Sequence, residues 1–154
     1  MLFLIFYAGD DRYAIESSRV VEIVPRVILR KLHHAPDYVA GVFNYRGTIV
    51  PVIDLCHLIQ NTPSRPYLST RIVMVNYRGK NNIDRLLGLM AERVTETLNQ
   101  LDTKVTSSGM KVDTSPYLGD MILDRSGTIQ CIRLDYLLSE TEQINLLPME
   151  QKTT

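Results

Sequence analysis

The chain has 154 residues and is 45% hydrophobic, which is enough apolar material for the core of one domain of ordinary size. Lys+Arg and Asp+Glu both number 17, so the formal net charge is zero and no basic field exists to hold phosphates or a membrane surface. This balance argues against nucleic acid as a partner.

The N-terminal run LFLIFYA at 2–8 is apolar but has no cationic residues before it and is too short to cross a bilayer. We interpret it as a first strand and expect no direct membrane insertion. Cys56 and Cys131 lie far apart and form no Cys-x-x-Cys pair, which favours a reducing compartment. The predicted location is therefore cytoplasmic.

Short runs rich in Ile, Val, Leu and Tyr alternate with turn-forming residues along most of the chain, a pattern typical of an all-β protein. Helical periodicity is weak, and only single helical turns are predicted, at 36–39, 55–60 and 135–139. The predicted strands are 2–7, 13–16, 20–24, 42–45, 48–55, 71–77, 86–91, 94–98, 120–124 and 128–134.

Residues 1–140 are predicted to form a single domain, followed by a C-terminal tail at 141–154 that loses the strand pattern and frays. The stretch NTPSRPYLST at 61–70 contains two prolines and several small polar residues. This composition is typical of a linker, and we place the boundary between two halves there.

A weak internal repeat supports the two halves. The Arg-Val-x-Glu pattern of 19–22 recurs at 93–96, and Gly-Thr-Ile recurs at 47–49 and 127–129. Each half would hold about five short strands, too few to be stable alone. The halves are therefore expected to pack together or to exchange strands.

The segment VFNYRGTIVPVIDL at 42–55 places a polar corner between two apolar runs. Arg46 in this corner is either a solvated turn residue or a planar guanidinium that binds a partner's carboxylate. Pro51 cannot donate to a sheet ladder, so its strand is expected to be at an edge or bulged. In the earlier strand, strict alternation places Val20 and Glu22 together on the outer face.

Two further clusters suggest enzymatic or metal chemistry, and both are disfavoured. Asp54, Cys56 and His57 contain the residue types of a thiol nucleophile, but neighbouring strand residues point to opposite faces. His33, His34 and His57 have no spacing typical of metal ligands. We predict no catalytic residue, no metal and no cofactor.

Taken together, these motifs resemble the CheW-like family, the coupling proteins of bacterial chemotaxis-type signalling arrays. The resemblance extends over about residues 2–138, and the corner is its most specific part. Its motifs are Tyr13-Ala14-Ile15, Val20-Val21-Glu22-Ile23, GVFNYRG at 41–47, IVPVIDL at 49–55, Gly88-Leu89 with Val94, and Tyr117-Leu118.

The resemblance implies two small five-stranded barrels packed together with a few helical turns, and a non-catalytic adaptor role. Such an adaptor couples the cytoplasmic tip of a methyl-accepting chemoreceptor to the regulatory domain of a histidine autokinase, with the receptor in a groove between the barrels. Alternatives are a free-standing relative of the kinase's regulatory domain and a small β-barrel thiol or histidine enzyme. The predicted receptor- and kinase-binding residues are Val20, Glu22, Val42, Asn44, Arg46, Gly47, Ile49 and Val52.

Two positions depart from the family pattern. Ala91 stands where we expect an aspartate at a strand end, and Tyr45 stands in the corner where leucine is commoner. They indicate a divergent member that serves an array other than the main chemotaxis one, such as an array for surface sensing or twitching.

Overall fold

The structure is a computed structural model, and it describes residues 2–78, 83–94, 98–100, 105–106, 115–124 and 127–147. These ranges contain eleven strands and two short α-helices. The strands are β1 Leu2–Ala8, β2 Asp11–Glu16, β3 Val20–Pro25, β4 Val39–Tyr45, β5 Thr48–Asp54, β6 Arg71–Arg78, β7 Asp84–Ala91, β8 Leu98–Gln100, β9 Val105–Thr106, β10 Leu118–Asp124 and β11 Gly127–Ile132. The helices are α1 Leu55–Gln60 and α2 Glu140–Leu146, and two 3-10 turns lie at Ser17–Arg19 and Leu134–Tyr136.

The strands form two sheets. Sheet I has six strands in the order β8-β1-β2-β11-β10-β9, and sheet II has five in the order β3-β6-β7-β5-β4. Both contain one parallel pairing, β2 with β11 and β5 with β7, and their remaining pairs are antiparallel. The predicted all-β fold is confirmed.

The two sequence halves exchange strands between the sheets. The N-terminal hairpin β1-β2 pairs with β8 and β11 from the second half, whereas β6 and β7 complete the sheet built by β3, β4 and β5. The segment 61–70, predicted as a linker, joins α1 to β6 beside sheet II. Neither sheet is therefore a contiguous half of the chain.

Three apolar clusters account for the alternation along the strands. A shared core lies between the sheets and includes Leu4 and Phe6 of β1 with Val73 and Leu89 of sheet II. Sheet I covers a second cluster with its other face, and sheet II covers a third that includes Val50 and Val52. Because β1 contributes to two clusters, its run LFLIFYA is apolar on both faces.

The edge strands of sheet II are linked by the segment after β3. Arg30 exchanges two backbone hydrogen bonds of 2.9 Å with Val42 of β4, and the side chains of Glu22 on β3 and Tyr45 on β4 also meet. Sheet II therefore curls until its β3 edge and its β4 edge approach each other at these contacts, which leaves less unpaired backbone open to other chains.

The link between Arg30 and Val42 also explains Pro51. Both backbone groups of Val42 point towards Arg30, so Pro51, which faces Val42 on β5, has no hydrogen bond to donate to β4. On its other side β5 pairs with β7 only from Val52 onward. The edge alternative is wrong, since β5 lies inside the sheet, and the register shift of the β4-β5 ladder lies in β4 between Val39 and Gly41. Pro51 itself occupies a position where no hydrogen bond to β4 is needed.

Helix caps fix the two α-helices. Asp54 caps α1 by accepting from the His57 N–H, and Asn61 ends the helix in the left-handed conformation. In α2, Ser139 and Glu142 form a reciprocal capping box. Residues 140–146 are therefore helical, contrary to the predicted frayed tail.

The helical turn predicted at 55–60 coincides with α1, and each predicted strand overlaps an observed strand, although 94–98 does so only at Leu98, the first residue of β8. Val94 is described but lies outside the strands, and 95–97 fall outside the described residues. The short strand β9 is an addition that the sequence did not indicate, and β8 extends past the predicted range 94–98 to Gln100.

Candidate partner-binding site

The NYRG corner is a two-residue hairpin turn between β4 and β5. Tyr45 and Thr48 form the last pair of the ladder, and the two residues between them have positive φ angles, 51° for Arg46 and 91° for Gly47. Positive angles at both central positions are the mark of a type I′ turn, whose twist suits the adjoining strands. The side-chain oxygen of Asn44 accepts from the Gly47 N–H at 2.8 Å. Asn44 and Gly47 therefore have local roles in the turn.

Arg46 is an unusual choice for its position. Type I′ turns favour Asn, Asp or Gly, because an L-residue in the left-handed region costs about 1 kcal/mol. The side chain of Arg46 is nevertheless 73% exposed, so burial in the core gives no compensation for this strain. Strained backbone of this kind concentrates at functional sites.

Three side chains meet beside the turn. Nη2 of Arg46 lies 3.1 Å from Oε2 of Glu22 and donates to Oε1 at 3.2 Å. The Tyr45 hydroxyl donates to Oε2 of the same carboxylate, and the Arg46 guanidinium lies 5.1 Å from the centre of the Tyr45 ring. The hydrogen bond to Glu22 raises the pKa of Tyr45, because it stabilises the protonated hydroxyl.

A β-bulge in β3 separates Glu22 from Val20. Val20 pairs with Val75 but Glu22 pairs with Met74, so Val21 is the extra residue and lies exposed. Val20 consequently packs against the shared core, whereas Glu22 faces the side of the sheet II cluster. The prediction that Val20 and Glu22 share one face is wrong.

The face of sheet II that forms the shared core continues into solvent. Along β5 this face carries the buried Ile53, then Pro51, and finally Ile49, which is 65% exposed. Val42 lies opposite Pro51 on the same face and is half-buried. We call Val20, Val42 and Ile49 the junction strip, because all three extend the surface on which the two sheets pack.

Val52 does not belong to this strip. Its side chain is fully buried in the sheet II cluster with Val50 and Met74. The prediction that Val52 supplies contact area to a partner is therefore wrong, because adjacent residues of β5 point to opposite faces.

The residues considered for thiol chemistry are placed on α1 and its cap. Cys56 is buried with its Sγ 3.7 Å from the carbonyl oxygen of Tyr7, and burial raises the pKa of its thiol. Asp54 is occupied as a cap and also accepts from the Ser64 hydroxyl at 2.6 Å. Among the described residues, no three His, Cys, Asp or Glu side chains are close enough to hold a metal.

The end of β7 clarifies the departure at position 91. Ala91 is buried in the shared core, and the acid of this strand end is the next residue, Glu92. An acidic residue therefore does stand at this strand end, one position after Ala91. Glu92 pairs with Arg65, a contact that no local pattern indicated.

Helices in the described part of the chain are short. The two α-helices have six and seven residues, and neither these nor any other described helix could span a bilayer.

Comparisons with known proteins agree with this architecture. The family model for the CheW-like domain matches residues 2–142. Chemotaxis protein CheW of Helicobacter pylori is 30% identical over 103 residues, which cover 67% of this chain and 59% of that protein. The probable chemotaxis protein CheW of Rhizobium etli is 29% identical over 142 residues, 89% of this chain and 86% of that protein. The chain thus matches less than two thirds of the first relative's length and most of the second's.

Protein FrzA of Myxococcus xanthus is also similar, with 30% identity over 99 residues that cover 62% of each chain. Among solved structures, the scaffolding protein TtCheW from Thermoanaerobacter tengcongensis superposes with a TM-score of 0.76 at 23% identity. That match covers 90% of this chain and 87% of the other, and at this identity it shows the shared fold.

Proposed function

The chain belongs to the CheW-like family, and on that premise we propose that it is a non-catalytic cytoplasmic adaptor that couples chemoreceptor-type sensory proteins to a histidine autokinase. The partners are the helical tip of a receptor and the regulatory domain of the kinase. The output is a chemotaxis-type pathway of swimming, twitching or surface sensing.

One observation carries the proposal: an apolar strip at the junction of the sheets runs out to solvent in the same hairpin that holds a strained, exposed arginine. Arg46 lies in the two-residue turn, and Ile49 lies in β5, the strand that follows this turn. Exposed apolar side chains provide contact area for the apolar face of a helix. A planar guanidinium on a short turn then fixes the orientation of that helix through paired hydrogen bonds.

The adaptor acts by binding and not by covalent chemistry. A receptor tip that changes conformation changes its affinity for the strip, and the kinase responds because both are held by one rigid body. Reversible signalling interfaces of this kind bury about 800 Å² per partner or less. The two sheets, packed on one shared core, provide the rigidity that such transmission needs.

Binding of two purified probes tests the proposal. The probes are a helical-hairpin fragment of a chemoreceptor tip and the kinase's regulatory domain, both from the same genome. Arg46→Glu is expected to weaken at least one of them by about 30-fold, the factor that corresponds to a hot-spot loss of ~2 kcal/mol. Unfolding in urea should be unchanged within about 0.5 kcal/mol, because Arg46 is exposed.

Arg93→Glu is the matched control. Arg93 is also an exposed arginine with a positive φ angle, 49°, and its guanidinium lies 5.1 Å from the centre of the Tyr7 ring. It follows the carboxyl end of β7, which runs parallel to β5, so it lies at the opposite end of sheet II from the corner that precedes β5. Its reversal should change either affinity by less than about threefold. A wild-type chain that binds neither probe would overturn the proposed function.

A further inference from the structure

We infer, on the premise of the proposed adaptor function, that Tyr45 holds Glu22 within the chain's own corner, so that Arg46 alone meets the partner and the fitting segment carries a carboxylate. The resemblance to the family gives Glu22 and Arg46 equal roles as contacts. In this chain Glu22 is a positioning residue, and Tyr45 determines specificity.

The hydrogen bonds of Glu22 carry the first step. Oε2 accepts from the Tyr45 hydroxyl, and both carboxylate oxygens lie within 3.2 Å of Arg46 Nη2. These three contacts use three of the roughly four acceptor sites of a carboxylate, so a partner's donor finds only one left, on Oε1. Glu22 therefore offers a poor site for a basic side chain.

The second observation behind this inference is the different exposure of the Arg46 and Glu22 side chains. The side chain of Arg46 is 73% exposed and that of Glu22 only 36%. A guanidinium has five N–H donors, and Glu22 engages them through Nη2 alone. The remaining edge of Arg46 faces solvent and can bind a carboxylate with two parallel hydrogen bonds.

The aromatic contacts of Tyr45 carry the third step. Its ring lies edge-on to Phe43 at 6.1 Å, and on its other side the Arg46 guanidinium lies 5.1 Å from the ring centre. Phe43 packs on the sheet II cluster, so the contacts from Phe43 through Tyr45 to Arg46 connect the guanidinium to the core. Such an anchor lowers the entropy that Arg46 loses on binding.

A leucine, the commoner residue here in the family, could supply neither the hydroxyl nor the ring face. Glu22 would then be held by Arg46 alone and could turn towards a partner. The tyrosine thus converts a corner of two opposite charges into one that presents a cation. Partners with a basic side chain at this point are rejected, and partners with an acidic one are favoured.

The first arm of the test uses the free protein. Tyrosine labelled with ¹³C at Cζ is titrated by NMR in the wild type and in Glu22→Gln, with Tyr45→Phe used to assign the resonance. Tyr45 is expected to ionise at a higher pH in the wild type than in Glu22→Gln. Only the wild type has the Glu22 carboxylate, which accepts a hydrogen bond from the Tyr45 hydroxyl and so stabilises its protonated form. Identical titration curves would overturn the inference, whatever the binding results.

The second arm measures affinity for the receptor-tip fragment. Arg46→Ala should weaken binding by about 30-fold, and replacing the fragment's facing carboxylate by an amide should have the same effect. The two changes together should be no worse than either alone, since they remove one contact. If the fragment tolerates the amide while Arg46→Ala loses affinity, no carboxylate is recognised and the inference fails.

Glu22→Gln and Tyr45→Phe complete the second arm. Each should weaken binding by only about threefold, and the double variant should match the single variants, because both act through the position of Arg46. Losses that add, or a Glu22→Gln loss as large as that of Arg46→Ala, would make Glu22 a direct contact and overturn the inference. A fragment that does not bind the wild type overturns the proposed function instead, and with it the outward role of Arg46.

Discussion

Arg65 donates hydrogen bonds to the carboxylate of Glu92 from both its backbone and its side chain. The Arg65 backbone N–H donates to Oε2 at 2.7 Å, and its Nη2 donates to Oε1 at 2.9 Å. Glu92 is only 2% exposed, whereas the Arg65 side chain is 48% exposed. The pair fastens the segment 61–70 to the end of β7.

Glu92 also joins the two sheets. Its backbone exchanges hydrogen bonds of 2.8 and 3.0 Å with Tyr7 of β1 in sheet I. Glu92, which directly follows β7 of sheet II, thus makes hydrogen bonds both to β1 of sheet I and to the segment 61–70 that precedes β6. Together with the shared core, Glu92 therefore helps to set the mutual position of the sheets and of the junction strip.

Glu92→Gln should lower the free energy of unfolding by about 1–3 kcal/mol. The amide keeps the shape of the carboxylate but loses the charge that Arg65 pairs with, and a buried hydrogen bond to a charged group contributes roughly this amount. Because Arg65 is half exposed, solvent screening keeps the loss below that of a fully buried pair. Urea unfolding at pH 7 measures the difference.

Asp84→Asn provides the control for that experiment. It breaks the exposed pair with Arg78, so the expected loss is about 0.5 kcal/mol or less. Equal losses in the two variants would contradict the structural role given to Glu92.

The stabilisation by Glu92 should depend on pH. Burial alone would raise the pKa of Glu92, but the hydrogen bonds and charge of Arg65 outweigh it and leave the pKa lowered in the folded chain. A lowered pKa stabilises the fold above the unfolded value of about 4.3, and this contribution disappears as pH falls through the folded value. The difference in unfolding free energy between wild type and Glu92→Gln should therefore be constant from pH 7 to 5 and shrink below pH 4. A difference that persists undiminished at pH 3 would contradict this assignment.

Gly41 and Gly47 should respond differently to alanine. A Cβ at Gly41, where φ is 145°, would lie 2.5 Å from the carbonyl oxygen of Arg30, within the segment that closes sheet II. Gly41→Ala should cost about 2–4 kcal/mol, since the obstacle is backbone. At Gly47 no described atom lies within 4 Å of an added Cβ, so Gly47→Ala should cost only about 1 kcal/mol of backbone strain. Thermal unfolding of both variants measures the order, and equal costs would contradict the close approach at Gly41.

The two thiols should be slow to react in the folded chain. Burial, with smaller effects from Asp120 and Glu16, raises the pKa of Cys131 to about 11, and burial also raises the pKa of Cys56. An unperturbed thiol has a pKa of about 8.5, so at pH 8 the thiolate fraction of Cys131 is roughly 200-fold lower than that of a free thiol. Iodoacetamide should label both residues readily in urea and slowly in buffer. Rapid labelling of native Cys56 would instead support the thiol-enzyme alternative.

Most strands were predictable because period-2 patterns and turn residues are local signals. Strand exchange between the halves was predicted only as one of two alternatives, because the strands that exchange are fixed by pairing between distant segments such as β2 and β11. The bulge at Val21 has no Gly or Pro that would indicate it in the sequence. A prediction from strict alternation therefore placed Val20 on the wrong face. Helix α2 was readable, because Ser139 and Glu142 have the spacing of a capping box.

The candidate site shows the same difference between local signals, which the sequence reveals, and long-range contacts, which it does not. The corner around Arg46 was evident from Asn44 and Gly47, which are typical turn residues. The contact between Tyr45 and Glu22 was not, because it joins opposite edges of a curled sheet. The missing donor at Pro51 was read correctly from the sequence, but its compensation lies in Arg30, whose segment carries no recognisable strand pattern.

Ile49→Ala and Val52→Ala separate the surface from the core within one strand. Val52 is fully buried in the sheet II cluster, so its truncation should cost about 1–3 kcal/mol of stability through lost contacts and a cavity. Ile49 is 65% exposed on the opposite face, and its truncation should change stability by less than about 0.5 kcal/mol. Affinity for the receptor-tip fragment should show the reverse order, with about a fivefold or greater loss for Ile49→Ala and little change for folded Val52→Ala. Binding is measured well below the unfolding temperature of Val52→Ala, so that both chains are native. If Val52→Ala loses affinity while Ile49→Ala retains it, the partner does not bind the junction strip.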